Sequence, residues 1–112
     1  MGAAADGIER AMLTDSQFFT LGRDTLTRLH DALEPSYDSG TLEELELEAG
    51  LLTIVTQAGQ SFIVSAHAPS QQIWLASPIS GGLHFRWSGE SWILGTGETI
   101  EEVLARELQV AL

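Results

Sequence analysis

The stretch Glu44-Leu45-Glu46-Leu47-Glu48-Ala49-Gly50-Leu51-Leu52-Thr53-Ile54 decides the fold. Its first five residues alternate glutamate and leucine. With a side-chain period of two, the leucines face one side and the acids the other, giving a half-buried strand with one wet, acidic face. Ala49-Gly50 supplies a tight turn, and residues 51–56 return as a second strand.

Working towards the C-terminus, Gln57-Ala58-Gly59-Gln60 turns into a strand at 61–65, and a short loop around Pro69 spans 66–70. Strands are expected at 71–77, 83–87 and 91–94, separated by a Pro/Gly loop at 78–82 and the turn Ser88-Gly89-Glu90. The six segments read as an antiparallel meander.

Helical periodicity flanks the meander on both sides. Thr14 and Gln17 form a capping box, and Phe18, Leu21, Thr25, Leu29 and Leu33 make an apolar stripe that Leu26 and Ala32 widen. This helix is expected to stop at Pro35, because the residue before a proline avoids the α region. Its outer face carries Asp24, Arg28, Asp31 and Glu34. At the other end, Thr99 and Glu102 make a second capping box, and Ile100, Val103, Leu104, Leu108 and Leu112 form the buried stripe. Both stripes need a partner, and one sheet face can serve both. The expected architecture is an α+β two-layer sandwich, with two helices on one face of a mostly antiparallel sheet of about six strands. Residues 1–13 read as a loose leader and 14–112 as one domain.

Composition narrows the function. The chain has 112 residues, 44% of them hydrophobic, and carries a formal charge of −11 from 16 acids against five basic residues, all arginine. Such a field repels phosphate backbones and anionic lipid, which argues against nucleic-acid and membrane binding. The absence of cysteine removes disulfides, thiolate nucleophiles and thiolate metal sites. The N-terminal residues lack the pattern of a secretory signal, so the protein is not expected to be secreted.

Seven acids (Asp31, Glu34, Asp38, Glu43, Glu44, Glu46 and Glu48) fall within 18 residues, and no arginine or lysine lies between Leu29 and Phe85. In the expected fold they share one edge: the end of the first helix, its loop and the first strand. Carboxylates without thiolates favour hard cations such as calcium, magnesium, manganese and iron. The spacing fits no loop-type calcium site. Two readings stand, an open cation-binding ridge and an ordinary solvated face. His30, beside Asp31, is positioned either to join a metal site or to be a plain surface residue. His84 alternates with Leu83 and Phe85 and faces the open side of the sheet, while His67 receives no role. Trp74, between Ile73 and Leu75, is either an exposed interface anchor or half covered by a strand bearing Trp87 or Trp92. No G-x-S-x-G, H-E-x-x-H or phosphate loop is present, which favours a binding module over a conventional enzyme.

The run Gln72-Ile73-Trp74-Leu75-Ala76-Ser77-Pro78-Ile79-Ser80-Gly81-Gly82 resembles the frataxin signature Q-[IV]-W-L-[SA]-S-P-x-S-G. Phe85, Trp87 and Trp92 follow as in that family. Thr14-Asp15-Ser16-Gln17-Phe18 is similar to the start of bacterial members, and Gly50-Leu51-Leu52-Thr53-Ile54 to the family's G-V-L-T-[IV]. The closing stretch from Leu104 to Leu112 is similar to the last helix of eukaryotic members.

The resemblance implies binding of ferrous and ferric iron on the ridge, weakly and with other divalent cations possible: Asp24, Asp31, Glu34, Glu44 and Glu46 match the family's acidic positions, and His30, Asp38, Glu43 and Glu48 are further candidate ligands from the ridge itself. It implies a role in iron–sulfur cluster assembly through a cysteine desulfurase and a scaffold protein, met by Trp74, which matches the family's exposed sheet tryptophan; Gln72, Ser65 and His84 are further candidate docking residues. It implies a monomer capable of metal-dependent oligomers, in the cytoplasm of a bacterium or the mitochondrial matrix of a eukaryote. A metal-independent acidic interaction module and a ferroxidase or iron store are the alternatives. Two positions depart from the pattern: Ser65-Ala66-His67 stands where eukaryotic members read N-K-Q, and His84 where they carry arginine.

Overall fold

The computed structural model describes residues 13–112. Helix α1 (Asp15–Asp38) is followed by strands β1 (Leu42–Glu48), β2 (Leu51–Thr56) and β3 (Ser61–His67). A short 3₁₀ turn (Ala68–Ser70) leads to β4 (Gln72–Ser77), β5 (Gly81–Trp87) and β6 (Trp92–Ile93), and helix α2 (Ile100–Leu108) closes the chain. The strands pair in sequence order, β1-β2-β3-β4-β5-β6, and every pairing is antiparallel. The α+β sandwich expected from the sequence is the observed architecture.

Local chemistry explains the boundaries. Thr14 accepts from the Gln17 backbone N–H while the Gln17 side chain accepts from the Thr14 N–H, and Thr99 with Glu102 repeats the arrangement at α2. The core joins Phe18, Leu26, Leu29 and Leu33 of α1 and Ile100, Val103, Leu104 and Leu108 of α2 to the inward residues Leu52, Ile54, Phe62, Val64, Ile73, Leu75 and Phe85. Trp92 is buried among them and packs edge-on against Phe18, with ring centroids 6.0 Å apart. A Cβ added to Gly22 of α1 would lie 3.1 Å from the Ala66 Cβ, so the small residue lets the helix approach β3 closely. The helices are also tied at the surface, where Arg28 donates to Glu101 at 3.0 Å. Arg106 pairs with Glu98, which holds its guanidinium above the usual arginine range through a hydrogen bond and the adjacent charge.

The structure corrects several expectations, among them two strand ends: β3 runs on to His67 and β5 starts at Gly81, inside the segments expected as loops. Helix α1 does not stop at Pro35 but runs one turn further, to Asp38. Proline lacks the N–H that would reach the carbonyl of Asp31 and its ring crowds that oxygen, yet the next turn closes, with the Ser39 N–H donating to Pro35 O at 3.0 Å and the Ser39 hydroxyl to Ser36 O at 3.1 Å. Ala32, about 100° around the helix from the buried Leu33, is exposed. Leu112 is also exposed, because Gln109 turns left-handed (φ 58°) and ends α2, letting Val110 pack on the core instead. Finally, strand β1 begins at the buried Leu42. A bulge between Leu42 and Glu44 inserts Glu43 and shifts the alternation, so Leu42, Leu45 and Leu47 all face α1.

The expected leader falls on residues outside the described ones, apart from Leu13. That residue packs against the core, and its backbone N–H donates to the Gln71 side chain at 3.0 Å.

Candidate functional site

Two surfaces carry the residues singled out from the sequence. The first is the edge formed by the C-terminal half of α1 and strand β1. His30, Asp31 and Glu34 lie at i, i+1 and i+4, so one helix face gathers them. One ligand atom from each lies within 4.8 Å of the others. The Nδ1 of His30 is 3.1 Å from an Asp31 carboxylate oxygen. Imidazole with two carboxylates is a donor set suited to iron, manganese or zinc, and solvent can supply the remaining positions.

The other six expected ligands do not join this group. Asp24 lies about two turns away along the helix and is paired with Arg23 at 3.6 Å. Asp38 is at the helix end and Glu43 is the bulge residue. Glu44, Glu46 and Glu48 alternate with the inward Leu45 and Leu47 and so line the open face of β1, the edge strand that pairs only with β2; Glu48 falls in the same cross-strand row as Leu51, Ser65 and Trp74. Among the described residues, no ion pair reaches Glu34, Asp38, Glu43, Glu44, Glu46 or Glu48. Among the described residues their charge is therefore uncompensated.

The second surface is the sheet face opposite the helices. Ser65 of β3 is directly across from Trp74 of β4, and Trp74 is across from His84 of β5. Gln72 is two residues back on the same face. All four expected docking residues therefore meet. Trp74 is half-buried, but neither Trp87 nor Trp92 covers it: Trp92 is in the core, with Trp87 beside it at 5.3 Å. The indole is clamped between two imidazoles, His67 at 3.7 Å and His84 at 4.5 Å between ring centroids, both nearly parallel to it. The indole N–H donates to the Gln72 Oε1 at 2.8 Å, which fixes the ring from its edge.

His67, to which the sequence assigns no role, forms half of this clamp. Hairpin register is the signal that could have found it. His67 pairs with Gln72, which sets it diagonal to Trp74 on the same face, within reach of two large rings.

A third feature is a cleft of about 890 Å³ between the first turns of α1 and the β1–β2 turn. Phe19, Leu26, Leu47 and Leu51 dominate its lining, with Asp15, Arg23 and Ser65 as the polar members, so it gathers no ligand set. Among the described residues no helix is long and apolar enough to cross a membrane.

Comparison with known proteins agrees with this layout. Residues 11–112 match the model of the frataxin-like domain. The iron-sulfur cluster assembly protein CyaY of Pseudomonas fluorescens is 39% identical over 97 residues, covering 84% of each chain. The protein of the same name from Azotobacter vinelandii is 36% identical over the same length and coverage. Among solved structures, frataxin from Psychromonas ingrahamii superposes with a TM-score of 0.73 over 84% of this chain and 87% of that one; at 22% identity it speaks for the fold alone. Trimeric yeast frataxin, complexed with ferrous iron, gives a TM-score of 0.71 at 29% identity, over 79% of this chain and 81% of the other. With a family model spanning nearly its whole length and relatives above 30% identity, the chain belongs to the frataxin-like family.

Proposed function

We propose that this protein serves iron–sulfur cluster assembly, taking up ferrous iron as cargo on the α1–β1 ridge and docking through its open sheet face onto a cysteine desulfurase–scaffold complex. The observation that carries this reading is the convergence of His30, Asp31 and Glu34 at the head of an acidic edge that no arginine among the described residues neutralises. The names of the relatives, iron-sulfur cluster assembly proteins, support the pathway, and the ferrous complex of yeast frataxin supports the metal.

Binding on such an edge is weak and multiple by construction. His30, Asp31 and Glu34 give the entry point. Asp38, Glu43, Glu44, Glu46 and Glu48 extend the attraction along the edge, each holding a hydrated cation by charge more than by geometry. Trp74, with Gln72, Ser65 and His84 around it, supplies the aromatic anchor of an interface.

Anaerobic titration with Fe²⁺, followed by amide NMR, tests the reading. Paramagnetic broadening is expected to start at residues 30–34 and spread to 38–48. Broadening centred on strands β5 and β6, or none, overturns it. In parallel, Trp74→Ala is expected to abolish capture of the desulfurase–scaffold complex.

The uncompensated acids also favour a second reading, a metal-independent module whose ridge meets a basic partner surface. Under it, Glu44→Lys weakens capture equally with and without iron; under the first, the loss is larger when iron is present.

A further inference from the structure

One arrangement of protons turns every close polar contact around Trp74 into a hydrogen bond. Indole Nε1–H can only donate, so the Gln72 atom 2.8 Å away must be the amide oxygen. That oxygen can only accept, so the Ser70 hydroxyl 3.0 Å from it spends its single proton there. His67 Nδ1 lies 2.7 Å from the same hydroxyl oxygen, which has no proton left to give. In that arrangement Nδ1 carries a proton and donates it. We infer that the chain His67→Ser70→Gln72←Trp74 locks neutral His67 in the Nδ1–H tautomer, making Ser70 and His67 positioning residues for Trp74 and leaving His67 Nε2 as a bare acceptor on the docking face, where it receives an N–H donor of the partner.

Three observations support that role. The imidazole stacks on the indole at 3.7 Å and 12°, so fixing one ring fixes the other. His67 Nε2 has no hydrogen-bond partner among the described residues. Ser70 is exposed at the end of the 3₁₀ turn, and Gln71 beside it is left-handed (φ 54°), a backbone that carries Ser70 and Gln72 to the same side. The partner group that completes this site is a donor, an arginine, a lysine or a backbone amide; a carboxylate meeting Nε2 would find no proton.

The partner part of this inference rests on the docking proposed above, but the proton assignment does not. Long-range ¹H–¹⁵N correlation of the imidazoles in the free protein reads it directly. His67 is expected to show a protonated Nδ1 and a bare Nε2, the reverse of the tautomer that histidine favours in water. Ser70→Ala should return His67 to the ordinary tautomer, and Ser70→Thr should restore the locked one. A protonated Nε2 with a bare Nδ1 in the unaltered protein, or no change in Ser70→Ala, overturns the inference. For the docking part, His67→Phe keeps a stacked ring and removes both the Nε2 acceptor and the Nδ1–H to Ser70; affinity for the desulfurase–scaffold complex should fall about tenfold, and by more than in Ser70→Ala, which loses the Ser70 bond alone. An undiminished affinity removes the partner's donor from the proposal. If the unaltered protein does not bind that complex at all, the proposed function fails while the tautomer result stands.

Discussion

The indole N–H of Trp92 donates to the hydroxyl of Thr25 at 2.9 Å, joining β6 to α1 across 67 residues of sequence. Both side chains are fully buried. The same hydroxyl donates to the Leu21 carbonyl at 2.7 Å, so a single threonine satisfies the indole and fixes itself on the helix. Thr25→Val keeps the shape and leaves a buried indole N–H without a partner. Urea denaturation is expected to show a loss of about 1–3 kcal/mol, whereas Thr25→Ser, which retains the acceptor, should lose less than half of that.

The Glu107 carboxylate holds the β4–β5 turn against α2. One oxygen accepts from Ser77 at 2.6 Å and the other from Ser80, while the Ser77 hydroxyl in turn accepts from the N–H groups of Ile79 and Ser80, each at 2.9 Å. Four hydrogen bonds thus converge on the turn that follows the Trp74 strand. Glu107→Ala should speed amide exchange at Ile79 and Ser80 by at least about tenfold and cost about 1–2 kcal/mol, because two hydroxyl donors lose a charged acceptor.

Much of this architecture could be read from the chain, for a physical reason. The Glu-Leu alternation of residues 44–48, the two capping boxes and the stripe from Phe18 to Leu33 are local patterns that state their own period. His30, Asp31 and Glu34 were legible for the same reason, since helical spacing alone brings them together. What the pattern hid depends on contacts between elements. The bulge at Glu43 is set by pairing with β2, and the clamp on Trp74 by the register of β3 against β4. Pro35 misled because a proline in the last turn forfeits one hydrogen bond while the buried Leu33 holds the turn in place.

Pro35 therefore makes a prediction about stability. In a helix it removes the bond to the Asp31 carbonyl and crowds that oxygen, whereas in the unfolded chain it restricts the backbone. The helical penalty relative to alanine is about 3 kcal/mol in an interior position, against about 0.4–1 kcal/mol gained through the unfolded state. The last turn incurs less of the penalty than an interior one. Pro35→Ala should accordingly stabilise the protein by about 1 kcal/mol in urea denaturation, and a loss of stability would show that the proline is needed to shape the helix end.

The ridge makes the last prediction, and its sign follows from screening. Glu44, Glu46 and Glu48 line the open face of the edge strand β1, near Asp38 and Glu43 in the chain, and no ion pair compensates any of them among the described residues. Folding holds these like charges together, while unfolding lets them spread, so their repulsion is larger in the native state. Raising NaCl from about 20 mM to about 300 mM shortens the screening length from about 20 Å to about 6 Å, below the separation of much of the ridge. The melting temperature at pH 7 should therefore rise by about 4 °C, equivalent to about 1 kcal/mol in a domain of this size. The combined substitution of Glu44, Glu46 and Glu48 by glutamine should raise the low-salt melting temperature and flatten its salt dependence. Glu90→Gln, in the β5–β6 turn and away from the edge, should leave the slope unchanged. Equal slopes in the triple variant and the unaltered protein would mean that the edge carries no concentrated charge.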